Sequence, residues 1–415
     1  MSFSQDTKVL LIAPFYDRNI PGESWSTYKW VEGISARCQA TVLTTHKSFW
    51  KSESSPTSAI ETINWEDPAL PSSLARLNRE LKPTYFLFYH RARKWLQEQY
   101  SRGGSFDLIH QINPLALRYP TPAYGFSTPY LIGPLAGSLE TPAGFRADLK
   151  EKEWFRRLRA FDRMRIKHDP WLHRTYSEAS AVLGVAPYVD EYLSLAGRHR
   201  FEIESETGVE SIPPPRANFS SPSQPLRLLF VGRIIRTKGI LDAIRAVAKA
   251  SADHPMHLDV LGEGDLLESC RAESARLGMT ASITFHGRIA REKIDEFYQK
   301  ADVFLFPSFR EPSGNVVFEA MSHGLPVITS TVGGPGYVVT DDCGFRIPPE
   351  NPEQYAEQLA NALRRLSSER PLLPVMSLAA QNRIADLGLW QSKIDRVINL
   401  YDSLLAASPA TAIKD

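Results

Sequence analysis

Apolar residues along this chain gather into short continuous runs more often than they alternate with polar ones. Val9–Ala13 is the first such run, closed by Pro14. An unbroken apolar run of this length marks a strand buried on both faces, as in a parallel sheet. Ala40–Leu43, Phe106–Ile109 and Tyr130–Ile132 repeat the pattern, with longer stretches of helical spacing between them. A second series then begins: Leu226–Val231 ending at Gly232, His257–Leu261 ending at Gly262, Ile283–Phe285 ending at Gly287, Val303–Phe306 ending at Pro307, and Val327–Ile328. Within it, Lys238–Ala250 carries Ile240, Leu241, Ile244 and Val247 at helical spacing. Strands alternating with helices of about 10–15 residues predict βαβ units and a parallel sheet. Between the two series, residues 211–225 are too rich in proline and serine for helix or strand, and they read as a linker. The predicted organisation is a Rossmann-like lobe over 1–210, a linker over 211–225, and a second such lobe over 226–387. A final helix over 388–408 follows Gly388 and packs back on the first lobe.

Composition adds exclusions. The chain has 415 residues, 43% apolar and 23% charged, ordinary for a globular protein of two or three domains. Cys38, Cys270 and Cys343 lie far apart with no CxxC, which fits a reducing compartment and argues against a structural zinc site. The run Val9–Ala13 is too short for a signal-peptide core, and no window nears the roughly 18 apolar residues of a membrane span. The expectation is a cytoplasmic protein, in solution or on the inner membrane surface.

Lys+Arg number 48 and Asp+Glu 47, a net charge of +1. That total hides a distribution. Arg76–Arg174 holds eighteen Lys+Arg and nine Asp+Glu, interleaved with aromatics such as Tyr85, Phe86, Trp95, Trp154 and Phe161. On a helix, Trp154, Leu158, Phe161 and Arg165 share one stripe. Such a helix can lie on an anionic membrane; equally, the stripe can pack on the lobe and leave its arginines in water. No nucleic-acid module appears.

Ligands of open α/β sheets sit at the carboxyl ends of strands, so the loops after the second-series strands carry the candidate chemistry. Gly232-Arg233-Ile234-Ile235-Arg236-Thr237-Lys238-Gly239 places cations before a helix start, where free N–H groups and the dipole favour an anion such as a diphosphate. Gly262-Glu263-Gly264 permits close backbone approach to a ligand. Glu311 sits in a Pro/Gly loop, and Glu319 lies a turn into the following helix among Val316, Val317, Ala320 and Met321. A carboxylate on that face needs partners, and sugar hydroxyls would serve. Val332-Gly333-Gly334-Pro335-Gly336 can form a backbone nest for phosphate oxygens.

Glu311 and Glu319, separated by seven residues, together with Gly232-Arg233…Lys238-Gly239 in that order, resemble the donor site of family 4 retaining glycosyltransferases of the GT-B superfamily. The resemblance is strong over about residues 225–345. It implies two Rossmann-like lobes with parallel sheets facing across a cleft. It also implies transfer of a hexose or uronic acid from a nucleotide sugar, UDP-linked, with no cofactor and no metal. The positions matching Arg233 and Lys238 would bind the diphosphate in place of Mg²⁺ and stabilise its departure. Glu311 would contact sugar hydroxyls, Glu319 the ribose, Ser313, Gly314, Asn315 and Val316 the sugar, and Arg288 the base. Gly232 and Gly262 would lie against the donor, and Gly22 would stand in the loop after the first strand. The acceptor implied is a membrane lipid or lipid-linked saccharide, with a small soluble acceptor or an inactive nucleotide-sugar-binding protein as alternatives. The chain departs from the family pattern where Asp-x-x-His-x-His is common: Asp107-Leu108-Ile109-His110-Gln111-Ile112 has only the first histidine. His110 would then contact the sugar, or be a satisfied histidine at a strand end.

Overall fold

A computed structural model describes residues 2–47, 60–68, 82–149, 162–196, 200–216 and 218–407. The chain forms two compact units, one of Met1–Ser138, Leu158–Glu206 and Trp390–Asp415, the other of Leu139–Arg157 and Thr207–Leu389.

The first unit is built on a seven-stranded sheet in the order β3-β2-β1-β4-β5-β6-β7. The strands are β1 (Lys8–Ile12), β2 (Gln39–Lys47), β3 (Glu61–Asp67), β4 (Leu108–Gln111), β5 (Tyr130–Leu135), β6 (Ala181–Gly184) and β7 (Phe201–Ile203). All pairings are parallel. Val9, Leu10, Leu11 and Ile12 are fully enclosed, as their unbroken apolar run requires. The helix Glu23–Ser35 turns Trp30, Val31 and Ile34 inward, where they share a core with Trp390, Ile394 and Val397 of the helix Trp390–Ala407. Trp30 meets Trp390 edge-on at 5.6 Å. Gly33 has no side chain because a Cβ there would overlap Ile394. Lys393 is fully buried and pairs with Glu204, which also takes Arg396 at 2.8 Å.

The second unit holds a six-stranded sheet, β10-β9-β8-β11-β12-β13, made of β8 (Leu226–Val231), β9 (Met256–Leu261), β10 (Ile283–Gly287), β11 (Val303–Phe306), β12 (Val327–Ser330) and β13 (Gly344–Ile347). It too is parallel throughout. The helix Ile240–Ala250 buries Ile240, Ala243, Ile244 and Val247 in a core shared with Tyr355, Leu359 and Leu363 of the helix Pro352–Ser368. Strand order reverses between β8 and β11, the point at which a doubly wound sheet opens a crevice at its carboxyl edge. The loops leaving β8 and β11 carry residues 232–239 and 307–314.

Two boundaries differ from the sequence reading. The described residues 139–149 belong to the second unit, because Phe145 meets Phe309 in a tilted contact at 4.3 Å and Asp148 pairs with Arg236 at 2.8 Å. The proline-rich stretch has no helix or strand among its described residues, yet it is strapped to the second unit. Arg216 donates to the Tyr298 and Gln299 carbonyls at 3.0 and 2.9 Å, and Ser220 bonds Asp302 through N and Oγ at 3.0 and 2.6 Å.

Candidate functional site

The basic loop after β8 is stitched to the loop after β11. The Thr237 carbonyl accepts Ser308 Oγ at 3.0 Å and Phe309 N at 3.2 Å. Gly239 adopts φ +74° at the start of the helix Ile240–Ala250, and any Cβ there would overlap the Pro307 carbonyl. This close approach needs glycine, and it sets Lys238 against Glu311.

Lys238 Nζ and the Glu311 carboxylate form an ion pair with little exposure. Burial first, then the charges of Arg233 and Arg310, pull the Lys238 ammonium down to about 7. The Glu311 carboxylate is in direct contact with it. Arg310 donates to Thr141 Oγ1 at 3.1 Å. Arg233 is exposed, and no hydrogen bond or ion pair engages it among the described residues. A buried lysine, two arginines and one carboxylate therefore converge at the carboxyl edge of β8 and β11. Three cations against one carboxylate leave net positive charge there for an arriving oxyanion. Arg310 is absent from the sequence reading; its signal was a further cation immediately before Glu311.

Arg236, by contrast, is a structural cation. It is 8% exposed and makes a two-point pair with the fully buried Asp242, Nη1–Oδ2 2.5 Å and Nη2–Oδ1 3.1 Å. It lies beside the Phe145–Phe309 ring pair, 5.1 and 5.2 Å from the two centroids.

Ser313 is buried, and Gly314, at φ +86°, begins the helix Asn315–Ser322 with no side-chain cap. The first amides, those of Asn315 and Val316, lack intrahelical partners by construction. Glu319 projects from the same helix. Its Oε2 accepts the Tyr298 hydroxyl at 3.1 Å, and its Oε1 lies 3.6 Å from Arg291. Burial raises its pKa against the pull of Arg291 and Tyr298. The hydroxyl donor that the sequence asked for is thus supplied partly by the protein itself.

Several glycines read as ligand approaches serve loop-to-loop packing. Gly262, at φ +135°, would drive a Cβ into the Gly232 carbonyl, and Gly264 one into the Ile234 carbonyl. Ile234 N bonds the Glu263 carbonyl at 2.8 Å. Gly232 itself faces the Phe306 ring. In the turn after β12, Gly333 abuts the Glu311 carbonyl, and Gly334 N donates to Pro312 O at 2.8 Å and Glu311 O at 3.2 Å. The turn therefore braces Glu311, and the Gly334 amide is already used within the protein. Arg288 stands exposed just beyond β10.

In the first unit, His110 is a correction. It has no exposed surface, and both ring nitrogens are engaged, Nδ1 with Tyr401 Oη at 2.6 Å and Nε2 with the Gly133 carbonyl at 2.7 Å. Burial lowers its pKa to about 4, so it is a neutral core histidine, not a group offered to a sugar. Asn113 is likewise enclosed, with Nδ2 donating to Phe15 O and Thr27 Oγ1 at 2.9 and 2.8 Å. Gly22, at φ +87°, precedes the helix Glu23–Ser35. Of the proposed membrane stripe, Trp154, Leu158 and Phe161 lie outside the described residues. Among the described residues no group of three His, Cys, Asp or Glu is placed to hold a metal ion, and no helix is long and apolar enough to cross a membrane.

Residues 213–371 match the family model described as glycosyl transferases group 1. An uncharacterized glycosyltransferase of Methanocaldococcus jannaschii is 30% identical over 175 residues, 42% of this chain and 44% of its own length. The chain spans about half the length of the curated relatives it matches. Among solved structures, sucrose-phosphate synthase from Thermosynechococcus elongatus superposes with a TM-score of 0.65 at 20% identity, covering 97% of this chain and 100% of that one. The Anabaena protein HepE, in complex with UDP and glucose, gives 0.58 at 16% identity, covering 96% and 100%. The fold shared with these structures is GT-B, two Rossmann-like units with parallel sheets.

Proposed function

We propose, for a chain that belongs through residues 213–371 to the glycosyl transferases group 1 family, that it transfers a hexose or uronic acid from a UDP-linked donor to a hydroxyl, with retention and without a metal ion. One observation carries this reading. Lys238 and Glu311 meet at the β8–β11 carboxyl edge with Arg233 and Arg310 close enough to perturb the lysine. A diphosphate in this place would take Lys238 and Arg233 as partners. Glu311, released from the lysine, would accept hydroxyls of the sugar. HepE holds UDP and glucose, and its likeness in fold supports a donor of that kind here.

As the donor bond breaks, negative charge grows on the leaving diphosphate; Lys238, already held in a poorly hydrated place, stabilises it with little reorganisation, and the exposed Arg233 adds its charge. The acceptor hydroxyl oxygen bonds the anomeric carbon on the face from which the diphosphate departs. Its proton passes to a diphosphate oxygen, so no protein nucleophile is consumed. The basic, aromatic stretch 76–174 favours a membrane lipid or lipid-linked saccharide as acceptor over a small soluble one. The enclosure of His110 favours a second reading, a nucleotide-sugar-binding protein that does not transfer.

The test is a thermal-shift screen across nucleotide sugars, followed by incubation of the best donor with lipid extract. A ligand that binds only the folded state raises its apparent stability. A UDP-sugar shift with a glycolipid product supports transfer. A shift with no product on lipid or soluble acceptors supports the second reading, and no shift with any nucleotide sugar overturns both.

A further inference from the structure

The first unit holds a cavity of about 550 Å³ at the amino ends of β1, β2 and β3, within the roughly 300–1,000 Å³ of small-molecule sites. It lies at the end of the strands opposite their carboxyl edge. β1 alone, with 5 residues, keeps the two ends about 13 Å apart. The second half of the helix Tyr85–Ser101 and the turn after it wall the cavity on one side. Its lining divides by chemistry. Ala40, Ile60, Ile63, Trp95 and Phe106 supply the apolar part. The rings of Trp95 and Phe106 are half-buried, 6.1 Å apart and inclined by 35°. Lys8, Gln39, Glu61, Gln99 and Ser105 supply the polar part. Most of that hydrogen-bonding capacity is unspent within the protein. Glu61 Oε2 accepts Thr41 Oγ1 at 2.8 Å, and Gln39 Nε2 reaches Asp6 Oδ1 only at 3.5 Å. Among the described residues, Lys8 Nζ, Trp95 Nε1, Glu61 Oε1, the Gln99 amide and Ser105 Oγ have no partner. Lys8 and Glu61, of opposite sign, are the charged groups of the described lining. Burial pushes the bordering Cys38 thiol up to about 12 and so keeps it neutral.

We propose that this cavity binds a neutral saccharide, at a site separate from the carboxyl-edge cluster of Lys238 and Glu311. Balanced charge gives little hold on a phosphate or a metal cation, whose recognition draws on several groups of one sign. An aromatic face is electron-rich and takes the C–H face of a pyranose ring. Around it, planar amides and a carboxylate offer paired acceptors and donors to the hydroxyls at the ring's edge. The class of ligand is read from the lining; the use of the site rests on the proposed transfer. A glycan acceptor held here, with its reactive end free, reaches the transfer site at raised effective concentration.

The experiment is a glycan array of neutral and acidic oligosaccharides, with uridine and adenosine as competitors. The full chain is applied as wild type, Trp95→Ala, Gln39→Ala/Gln99→Ala and Lys238→Met. The expected result is binding of neutral oligosaccharides that falls about tenfold in the Trp95 variant and in the double glutamine variant. It should be unchanged in Lys238→Met and undisturbed by the nucleosides. Gln39 and Gln99 make no close side-chain bond, so the double variant should keep the wild-type melting temperature and UDP-induced shift, and it carries the test if Trp95→Ala fails to fold. No binding of neutral oligosaccharides, equal binding by wild type and the double variant, preference for acidic glycans, loss in Lys238→Met, or displacement by a nucleoside overturns the proposal. If UDP gives no shift while array binding follows the cavity variants, the donor reading fails and the cavity site stands. If the shift is present and array binding is absent, the cavity site alone fails.

Discussion

Replacing Arg236 by methionine separates the structural cation of the basic loop from those assigned to the donor. Arg236 is 8% exposed, and its main partner Asp242 is fully buried. Methionine keeps much of the packing against Phe145 and Phe309 but removes the charge. Asp148, 37% exposed, can take up water. Asp242 cannot, and an orphaned buried carboxylate costs about 3–5 kcal/mol. In a domain of roughly 200 residues each kcal/mol shifts the midpoint by about 2–4 °C, so the second unit should melt about 10 °C lower. Arg236→Met/Asp242→Leu should recover most of the loss, because an apolar pair of similar volume is often no worse than the ion pair. Scanning calorimetry of wild type, single and double variants, each with and without UDP, provides the readings. UDP should still stabilise the single variant below its midpoint. A single variant that melts within about 1 °C of wild type would refute the orphaned-charge argument, as would a double no better than the single. Loss of the UDP effect with stability intact would make Arg236 a ligand contact.

Three further outcomes follow from the same structure. His110, with a folded pKa of about 4 against an ordinary 6.5, refuses a proton that the unfolded chain accepts. Stability should therefore fall on acidification from pH 6.5 to 4, by up to about 1.4 kcal/mol per pH unit. Urea titrations should show a shallower fall in His110→Gln, and equal slopes would contradict the assignment. Gly262→Ala, forcing a Cβ at φ +135° into the Gly232 carbonyl, should lower stability by about 2 kcal/mol or more and weaken UDP binding by shifting the 232–234 loop; an unchanged urea midpoint would show that the loops do not press on each other. EDTA should leave transfer unaffected, whereas a strict Mg²⁺ requirement would mean that Arg233 and Lys238 do not carry the diphosphate alone.

The paired sheets were largely legible in the sequence, because strands enclosed on both faces must be continuously apolar. Leu226–Val231 and Val303–Phe306 could be read to the residue. Those that escaped had weaker signals. β3 is an edge strand that alternates polar and apolar residues, and β6, β7 and β13 are only three or four residues long. The helix after β8 begins at Ile240 and not Lys238, because Arg236–Lys238 forms a 3₁₀ turn and Gly239 is left-handed. Linear segmentation also concealed the affiliation of Phe145 and Asp148 with the second unit. Lys238 and Glu311 were identifiable from their order and loop context, and the fold brings them into contact. The glycines were harder, since a residue that must lack Cβ looks alike whether a phosphate or another loop's carbonyl presses on it. At Gly262 and Gly333 it is a carbonyl. His110 was ambiguous because one histidine at a strand end says nothing of what encloses it, and Tyr401, 291 residues away, donates or accepts the deciding bond.

The most direct measurement is the calorimetric affinity of wild type and Lys238→Met for UDP and for UMP. A charge-assisted hydrogen bond from a desolvated lysine is worth about 1.5–3 kcal/mol, roughly 10–100-fold in Kd. If Lys238 holds the terminal phosphate, the variant should lose that factor for UDP and little for UMP, erasing most of the wild type's preference for the diphosphate. Equal weakening of both ligands, or of neither, would contradict the placement of the diphosphate at the Lys238–Glu311 pair.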